Sequence, residues 1–114
     1  MTQEEYKEEI KKLHDECVAI CEKKNQDYAR QDDAFYNFRE FGTQGILVRM
    51  SDKYARIKTL IVKGKPEVND ESLDDTLKDL ANYALILILF LKSEFRDRID
   101  KVWHTDAQQE KTEN

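Results

Sequence analysis

The sequence predicts an all-α fold, a helical bundle of about four helices that ends in a long C-terminal helix. One proline and three glycines occur in 114 residues, and so few breakers favour long uninterrupted helices over many short strands. Charged residues make up 38% of the chain and hydrophobic residues 39%, a balance typical of helices with charged outer faces. We predict one all-α domain over residues 1–104 and a disordered, polar C-terminal tail over residues 105–114.

The first helix is predicted from a cap and from apolar periodicity. Thr2 followed by Glu5 forms a capping box, in which each residue bonds the backbone of the other. The helix is expected to run from Gln3 to Lys24, with a polar loop from Asn25 to Asp33 after it. Its apolar residues recur at helical spacing, at Tyr6, Ile10, Leu13, Cys17 and Ile20.

Two further helices are predicted in the middle of the chain. The aromatic-rich segment from Ala34 to Phe41 is expected to form a short helix that Gly42 ends. A longer helix is expected from Thr43 to about Val62, because apolar residues again recur at helical spacing and a glycine follows.

The last helix is predicted from Glu71 to about Trp103, since no breaker interrupts it. Its middle, Tyr83 to Leu91, is apolar nearly all round and must be buried on every side. A chain of this size supplies too little cover for it, so we expect a homodimer or homotetramer. The run is shorter than the ~20 residues that a helix needs to span a bilayer, so no membrane association is expected.

Charge and cysteine content limit the classes of partner. The net charge of −5 disfavours binding to nucleic-acid polymers or anionic membranes. A nucleotide substrate remains compatible with this charge, because a metal ion can mediate between carboxylates and phosphates. Cys17 and Cys21 lie one turn apart on one helix and are expected to be small core residues in a reducing compartment, which favours a cytoplasmic protein.

A row of acidic side chains at the start of the last helix is the strongest candidate site. Glu71, Asp75 and Asp79 follow one another at i, i+4 and i+8, and Asn82 continues the row. Repulsion between these carboxylates would be relieved by a hard cation, and oxygen ligands are those that Mg²⁺ takes. The alternative is a solvated acidic face near a helix N-terminus, where Asp and Glu are favourable in any case.

A basic stripe on the preceding helix is the second candidate. Arg49, Lys53 and Arg56 share one face, with Asp52 beside them. If the two helices pack antiparallel, these cations can hold phosphate oxygens while Asp52 joins the metal ligands. Interhelical salt bridges are the alternative interpretation.

A third group of residues lies in and after the predicted loop. An asparagine with adjacent aromatic rings can hydrogen-bond and stack a base. Turn chemistry and core packing explain the same residues equally simply. The candidates for contact with a substrate are Lys24, Asn25, Asp27, Tyr28 and Asn37.

Four segments in this order resemble a family of short phage and bacterial domains associated with nucleotide modification. They are KNQDY, FYNF, GILVRMSDKYARI and NDESLDDTLKDLANYALI, and the resemblance covers Lys24 to Leu91. The family is similar to the MazG-like and dimeric dUTPase superfamily of all-α NTP pyrophosphohydrolases. Those proteins are oligomeric and cut nucleoside triphosphates into a monophosphate and pyrophosphate with Mg²⁺. This chain departs from the superfamily's paired acidic signature, because its acids are spaced by four and the first pair offers only Asp52.

The resemblance implies Mg²⁺-dependent hydrolysis of a nucleoside or deoxynucleoside triphosphate. It assigns Glu71, Asp75 and Asp79 to the metal. The catalytic residues would be Asp52, Lys53 and Arg56. The residues that bind the substrate would be Lys24, Asn25, Asp27, Tyr28, Asn37, Arg49 and Asn82. Two alternatives stay open: a helical oligomer that binds a nucleotide or a protein without cleavage, and a purely structural helical dimer.

Overall fold

The computed structural model describes residues 1–28, 32–63 and 73–113, and the elements in these ranges are helical, with no β-strand. Three long helices are present: α1 (Gln3–Tyr28), α2 (Gly42–Lys63) and α3 (Leu73–Glu113). A one-turn 3₁₀ helix, Tyr36–Phe38, lies between α1 and α2. The predicted all-α class is confirmed.

The predicted fourth helix, from Ala34 to Phe41, is wrong, because only one 3₁₀ turn forms there. Asp33 explains the difference. Its carboxylate accepts a hydrogen bond of 3.1 Å from the backbone N–H of Phe35 and bonds the guanidinium of Arg39. Local side-chain bonds of this kind compete with a continuous helix and favour a turn.

The start of α1 agrees with the sequence, and its end does not. Thr2 and Glu5 form the predicted capping box, with bonds of 3.1 and 3.2 Å between each side chain and the other's backbone N–H. The helix continues past Lys24 to Tyr28 because no glycine or proline stops it. The loop predicted from Asn25 is therefore wrong over its first four residues, and Asn25, Asp27 and Tyr28 belong to a helix.

Helix α2 begins at a glycine and ends close to its predicted end. Gly42 has φ +59°, a left-handed conformation that glycine adopts at little cost, and it stands at the first residue of α2. The helix ends at Lys63, close to the predicted end at Val62. The break predicted around Gly64 lies outside the described residues.

The described part of α3 begins at Leu73, and its predicted start at Glu71 lies outside the described residues. The helix continues to Glu113, so the predicted end near Trp103 is wrong. No glycine or proline occurs between Leu73 and Glu113, and the helix has no stop signal there. The division into a domain over residues 1–104 and a tail over 105–114 stays a prediction.

The core forms where α3 packs against α2 and the 3₁₀ turn, and α1 also contacts α3. Phe38, Ile46 and Phe90 make its buried centre, and the rings of Phe35 and Phe90 meet edge to face with centroids 5.6 Å apart. Ile46 shares the core with Phe90, and Lys53, further along α2, pairs with Asp79, further back on α3. The two helices are therefore antiparallel.

One chain covers the apolar run of α3 only in part. Phe90 is 1% exposed, whereas Ile88 is 50% exposed and Leu89 is 58% exposed. The apolar stripe at the start of α1 is uncovered as well, with Tyr6 at 55% and Ile10 at 46%. Over the parts of the chain that the structure describes, no helix is both long enough and apolar enough to cross a bilayer.

Candidate functional site

A cavity of about 250 Å³ opens between α1, the segment around the 3₁₀ turn, α2 and α3. Its apolar wall includes the rings of Phe35, Phe38 and Tyr83 together with Ile86. The packing of α3 against the aromatic segment creates this wall, since Phe35 also contacts Phe90 in the core. Six predicted substrate or metal residues line the cavity: Lys24, Asn25, Asn37, Arg49, Asp79 and Asn82.

Asp79 lies between two lysines from different helices. Its Oδ1 is 2.8 Å from Nζ of Lys24 on α1, and its Oδ2 is 3.0 Å from Nζ of Lys53 on α2. The Asp79 side chain is 13% exposed and that of Lys53 is 23% exposed. This cluster joins all three helices beside the cavity, and it brings the predicted basic stripe to the predicted acidic row through Lys53.

The electrostatics of the cluster keep Asp79 ionised. Partial burial acts to raise the pKa of the Asp79 carboxyl, but the hydrogen bonds from Lys24 and Lys53 outweigh it and lower that pKa below its ordinary value. A group with a lowered folded-state pKa stabilises the fold above its unfolded pKa of 3.8, and this contribution is lost as the pH falls through the folded-state value. At neutral pH Asp79 is therefore an anionic carboxylate between the two lysine side chains.

Arg49 has a separate place at the cavity. Its guanidinium carbon lies 5.1 Å from the centroid of the Phe38 ring, an arrangement in which the cation is attracted by the ring face. The aromatic ring comes from the segment around the 3₁₀ turn and the cation from α2. The cavity lining therefore includes two cationic side chains, Lys24 and Arg49, and Lys53 lies next to the cavity through its ion pair with Asp79.

Asn82 connects the cavity to the backbone of α1. Its amide nitrogen donates a hydrogen bond of 3.0 Å to the carbonyl oxygen of Cys17, and the residue is only 6% exposed. The Oδ1 atom of Asn82 is buried without a hydrogen-bond partner in the described part of the protein, and so is that of Asn37. Buried polar atoms without partners are uncommon in folded proteins.

Not all the predicted site residues come to the cavity. Asp52 and Arg56 are exposed on α2, and Asp75 is exposed one turn before Asp79; none of the three lines the cavity. Glu71 lies outside the described residues, as do the side chains of Asp27 and Tyr28. Within the residues that the structure describes, no three Asp, Glu, His or Cys side chains form a group able to hold a metal ion. The set Glu71, Asp75 and Asp79 stays a prediction.

Another acidic residue of α3 has a structural contact. Lys78 bonds Asp74 at 2.8 Å and Glu16 of α1 at 3.2 Å, and these two bonds raise the pKa of the Lys78 ammonium group above its ordinary value. Asp74 therefore contributes to a link between α1 and α3. It makes a useful comparison with Asp79, which lies on the same helix but lines the cavity.

Sequence reasoning found the apolar side of the site only in part. Aromatic rings beside an asparagine were weighed as a surface for stacking a base, with core packing as the alternative, but Tyr83 and Ile86 were not assigned to the site. The carbonyl of Cys17 was not considered as a partner for Asn82. The FYNF segment carried the available signal, because it places an asparagine between aromatic residues. No comparable signal links Cys17 to Asn82, which are 65 positions apart.

The part of the chain that matches a known protein family is the part that forms the cavity. The family model described as nucleotide modification associated domain 1 matches residues 24–91, more than half of the chain. The matched region begins at Lys24 and includes every residue that lines the cavity except Cys21. No curated protein and no solved structure matches the chain.

Proposed function

The chain belongs to the nucleotide modification associated domain 1 family, and from this premise we propose that it hydrolyses a nucleoside or deoxynucleoside triphosphate with Mg²⁺. Water adds across the anhydride bond between the α and β phosphates, and the products are a monophosphate and pyrophosphate. The observation that carries the proposal is the position of Asp79, which lies between Lys24 and Lys53 and lines a cavity with aromatic walls.

The cavity supports the part of the proposal that concerns the base. Its lining combines aromatic and aliphatic side chains with a few polar groups, the composition typical of small-molecule sites. Phe35, Phe38 and Tyr83 offer apolar and aromatic surface to a planar ring, and such contact is favourable for any base. The amide groups of Asn37 and Asn82 supply the hydrogen bonds that orient it.

The cations support the part that concerns the phosphates. Lys24 and Arg49 line the cavity, and Lys53 adjoins it through Asp79. Bonds between ammonium or guanidinium groups and phosphate oxygens are charge-assisted and stronger than neutral ones. In the proposed complex these three side chains bind the phosphates and stabilise the negative charge that grows on the leaving pyrophosphate.

Mg²⁺ fits this donor set when the phosphates provide some of its ligands. Mg²⁺ commonly binds through one or two carboxylates, substrate phosphates and several waters. Asp79, with Asp75 one turn before it, provides such carboxylates, and phosphate oxygens can replace Asp79 as partners of Lys24 and Lys53. When bound, the ion supplies charge neutralisation and lowers the pKa of a bound water. In the same proposal Glu71 and Asp52 are further carboxylates that would bind Mg²⁺.

The proposal includes a homodimer or homotetramer. Apolar side chains on α1 and α3, which contact each other, are left exposed by a single chain, among them Leu13 at 41% and Phe95 at 64%. Exposed apolar surface on this scale is typical of faces that another subunit covers. We propose that a second copy of the chain covers these faces. In a symmetric dimer each subunit presents the same apolar face to the other. Light scattering of the pure protein measures its molar mass in solution and hence the number of subunits.

A turnover screen tests the proposed reaction. The pure protein is incubated with Mg²⁺ and a panel of NTPs and dNTPs that includes methylated and hydroxymethylated bases, and the products are separated by chromatography. We expect equal amounts of monophosphate and pyrophosphate from at least one substrate, and we expect EDTA to abolish both. A monophosphate released with two equivalents of inorganic phosphate, or no product from any member, would contradict the proposed reaction.

A second candidate function is nucleotide binding without cleavage. It is favoured by the fact that both carboxylate oxygens of Asp79 are engaged by lysines, so metal binding must replace an existing ion pair. This candidate predicts saturable nucleotide binding and no product in the same screen. The third interpretation, a purely structural helical dimer, predicts neither binding nor product.

A further inference from the structure

The aromatic wall of the cavity comes from a segment with little secondary structure of its own. Phe35 and Phe38 line the cavity, and they lie beside and within the one-turn 3₁₀ helix between α1 and α2. The N–H of Phe38 donates to the carbonyl oxygen of Phe35 at 2.9 Å. The N–H of Arg39 donates to the carbonyl oxygen of Tyr36 at 3.4 Å. A 3₁₀ turn has poorer hydrogen-bond geometry than an α-helix, so these local bonds alone hold the two rings weakly.

An ion pair joins the residues on either side of this turn. Oδ1 of Asp33 accepts a hydrogen bond of 3.0 Å from Nη2 of Arg39, and Oδ2 accepts one from Nε of the same guanidinium group. Oδ1 also accepts a hydrogen bond of 3.1 Å from the backbone N–H of Phe35. Paired bonds between a guanidinium and a carboxylate are charge-assisted and fix the geometry of both groups. We call this ion pair the clasp, because it closes the chain around Phe35 and Phe38.

The clasp holds the aromatic wall without forming part of it, since neither Asp33 nor Arg39 lines the cavity. Phe38 is buried in the core, and the ring of Phe35 packs edge to face against Phe90. The Arg39 side chain is 51% exposed and that of Asp33 is 24% exposed, and ion pairs at such positions contribute little to the stability of a fold. Loss of the clasp should therefore leave the core intact and widen the range of positions open to the two rings.

We infer that the clasp positions the aromatic wall for the base of the nucleotide, so that Asp33 and Arg39 are positioning residues of the proposed site. The inference rests on the proposed function, because it takes the cavity as the site of the base. It adds two residues outside the cavity that determine affinity. Aromatic rings attract one another only over a limited range of offsets and angles. A wall held in place before binding loses less conformational entropy on binding than a wall that the ligand must order.

Two variants open the clasp in different ways. Asp33→Asn keeps an oxygen for the N–H of Phe35 and removes the charge that pairs with Arg39. Arg39→Met removes the guanidinium group and keeps an unbranched side chain. With the best substrate, each variant should raise KM about fivefold and leave kcat within about twofold, because the cluster of Asp79 and its two lysines is unchanged. Titration calorimetry with Mg²⁺ and the α,β-methylene analogue of that substrate should show the same fivefold loss of affinity.

The double variant and a second ion pair are the controls. Asp33→Asn combined with Arg39→Met should bind no more than about twofold more weakly than either single variant, because both substitutions break the same pair. Glu9→Gln opens the exposed ion pair with Lys12 on α1 and should leave KM, kcat and affinity unchanged. The melting temperature of every variant should stay within about 3 °C of that of the unmodified protein.

The outcomes separate the clasp from the proposed function. Unchanged affinity in both single variants, or losses that add in the double variant, overturns the inference. A fall in the melting temperature of roughly 10 °C or more in the single variants shows a role in the fold as a whole and also overturns it. Absence of nucleotide binding by the unmodified protein overturns the proposed function itself, a different result from equal binding by all the variants.

Discussion

Asp79→Asn is expected to reduce turnover of the best nucleotide substrate by about 100-fold or more. The substitution keeps the size of the side chain and removes the negative charge that Lys24 and Lys53 hold at the cavity. Loss of one preorganised electrostatic group at an active site, such as an oxyanion-hole donor, reduces turnover by about two to three orders of magnitude. Initial rates of pyrophosphate release at saturating substrate and Mg²⁺ measure the effect.

Asp74→Asn is the matched control for this experiment. Asp74 lies on the same helix, bonds Lys78 and does not line the cavity. Its replacement should leave turnover within about threefold of the unmodified protein, because an exposed ion pair contributes no more than about 1 kcal/mol to stability. Equal activity of the Asp79→Asn protein and the unmodified protein would show that Asp79 takes no part in the reaction.

Phe90→Ala is expected to destabilise the fold by about 3–5 kcal/mol, the range measured for truncation of buried aromatic residues. Phe90 is 1% exposed, shares the core with Ile46 and meets the ring of Phe35 edge to face. A loss of this size lowers the melting temperature of a domain of about 100 residues by roughly 15 °C or more. Thermal denaturation followed by circular dichroism at a fixed protein concentration measures it.

Val62→Ala is the control for the core variant. Val62 is 84% exposed near the end of α2, and its truncation should change the melting temperature by less than about 3 °C. A Phe90→Ala protein that melts within a few degrees of the unmodified chain would contradict the core described above. The ring of Phe35 lines the cavity and packs against Phe90. The Phe90→Ala substitution should therefore also weaken nucleotide binding.

The helices could be predicted because their signals are local. The capping box of Thr2 and Glu5 forms from residues three positions apart, and the stripe on α2 repeats at helical spacing. The ends were less predictable. Asn25 to Tyr28 read as a loop from polarity alone, but polar residues without a glycine or proline can continue a helix.

The site could be predicted in part, because positions on one helix face follow from local spacing. Asp79 and Lys53 were assigned from their positions on helix faces, and antiparallel packing of α2 against α3 brings them together. Asp52 and Arg56 lie on the same helix as Lys53, but they are exposed away from the cavity. A stripe at i, i+4 and i+7 turns around the helix, so periodicity alone does not say which member meets a neighbour.

Contacts between distant positions could not be predicted from one sequence. Asn82 bonds Cys17 across 65 positions, and Lys24 bonds Asp79 across 55. Neither pair has a spacing that local geometry would indicate. The cavity also depends on how an aromatic 3₁₀ turn is held against α3, and the bonds of Asp33 that hold this turn replaced a helix that the sequence favoured.

The most direct test of the account is the binding of a non-hydrolysable nucleotide to the cluster of Asp79 and its two lysines. Titration calorimetry with Mg²⁺ and the α,β-methylene analogue of the best substrate is carried out on the unmodified protein, on Lys53→Ala, and on Lys12→Ala, which changes an exposed lysine of α1. We expect the unmodified protein and Lys12→Ala to bind equally and Lys53→Ala to bind about tenfold more weakly, because a charge-assisted bond to phosphate is lost. No binding by the unmodified protein, or equal affinity in all three, would contradict the account.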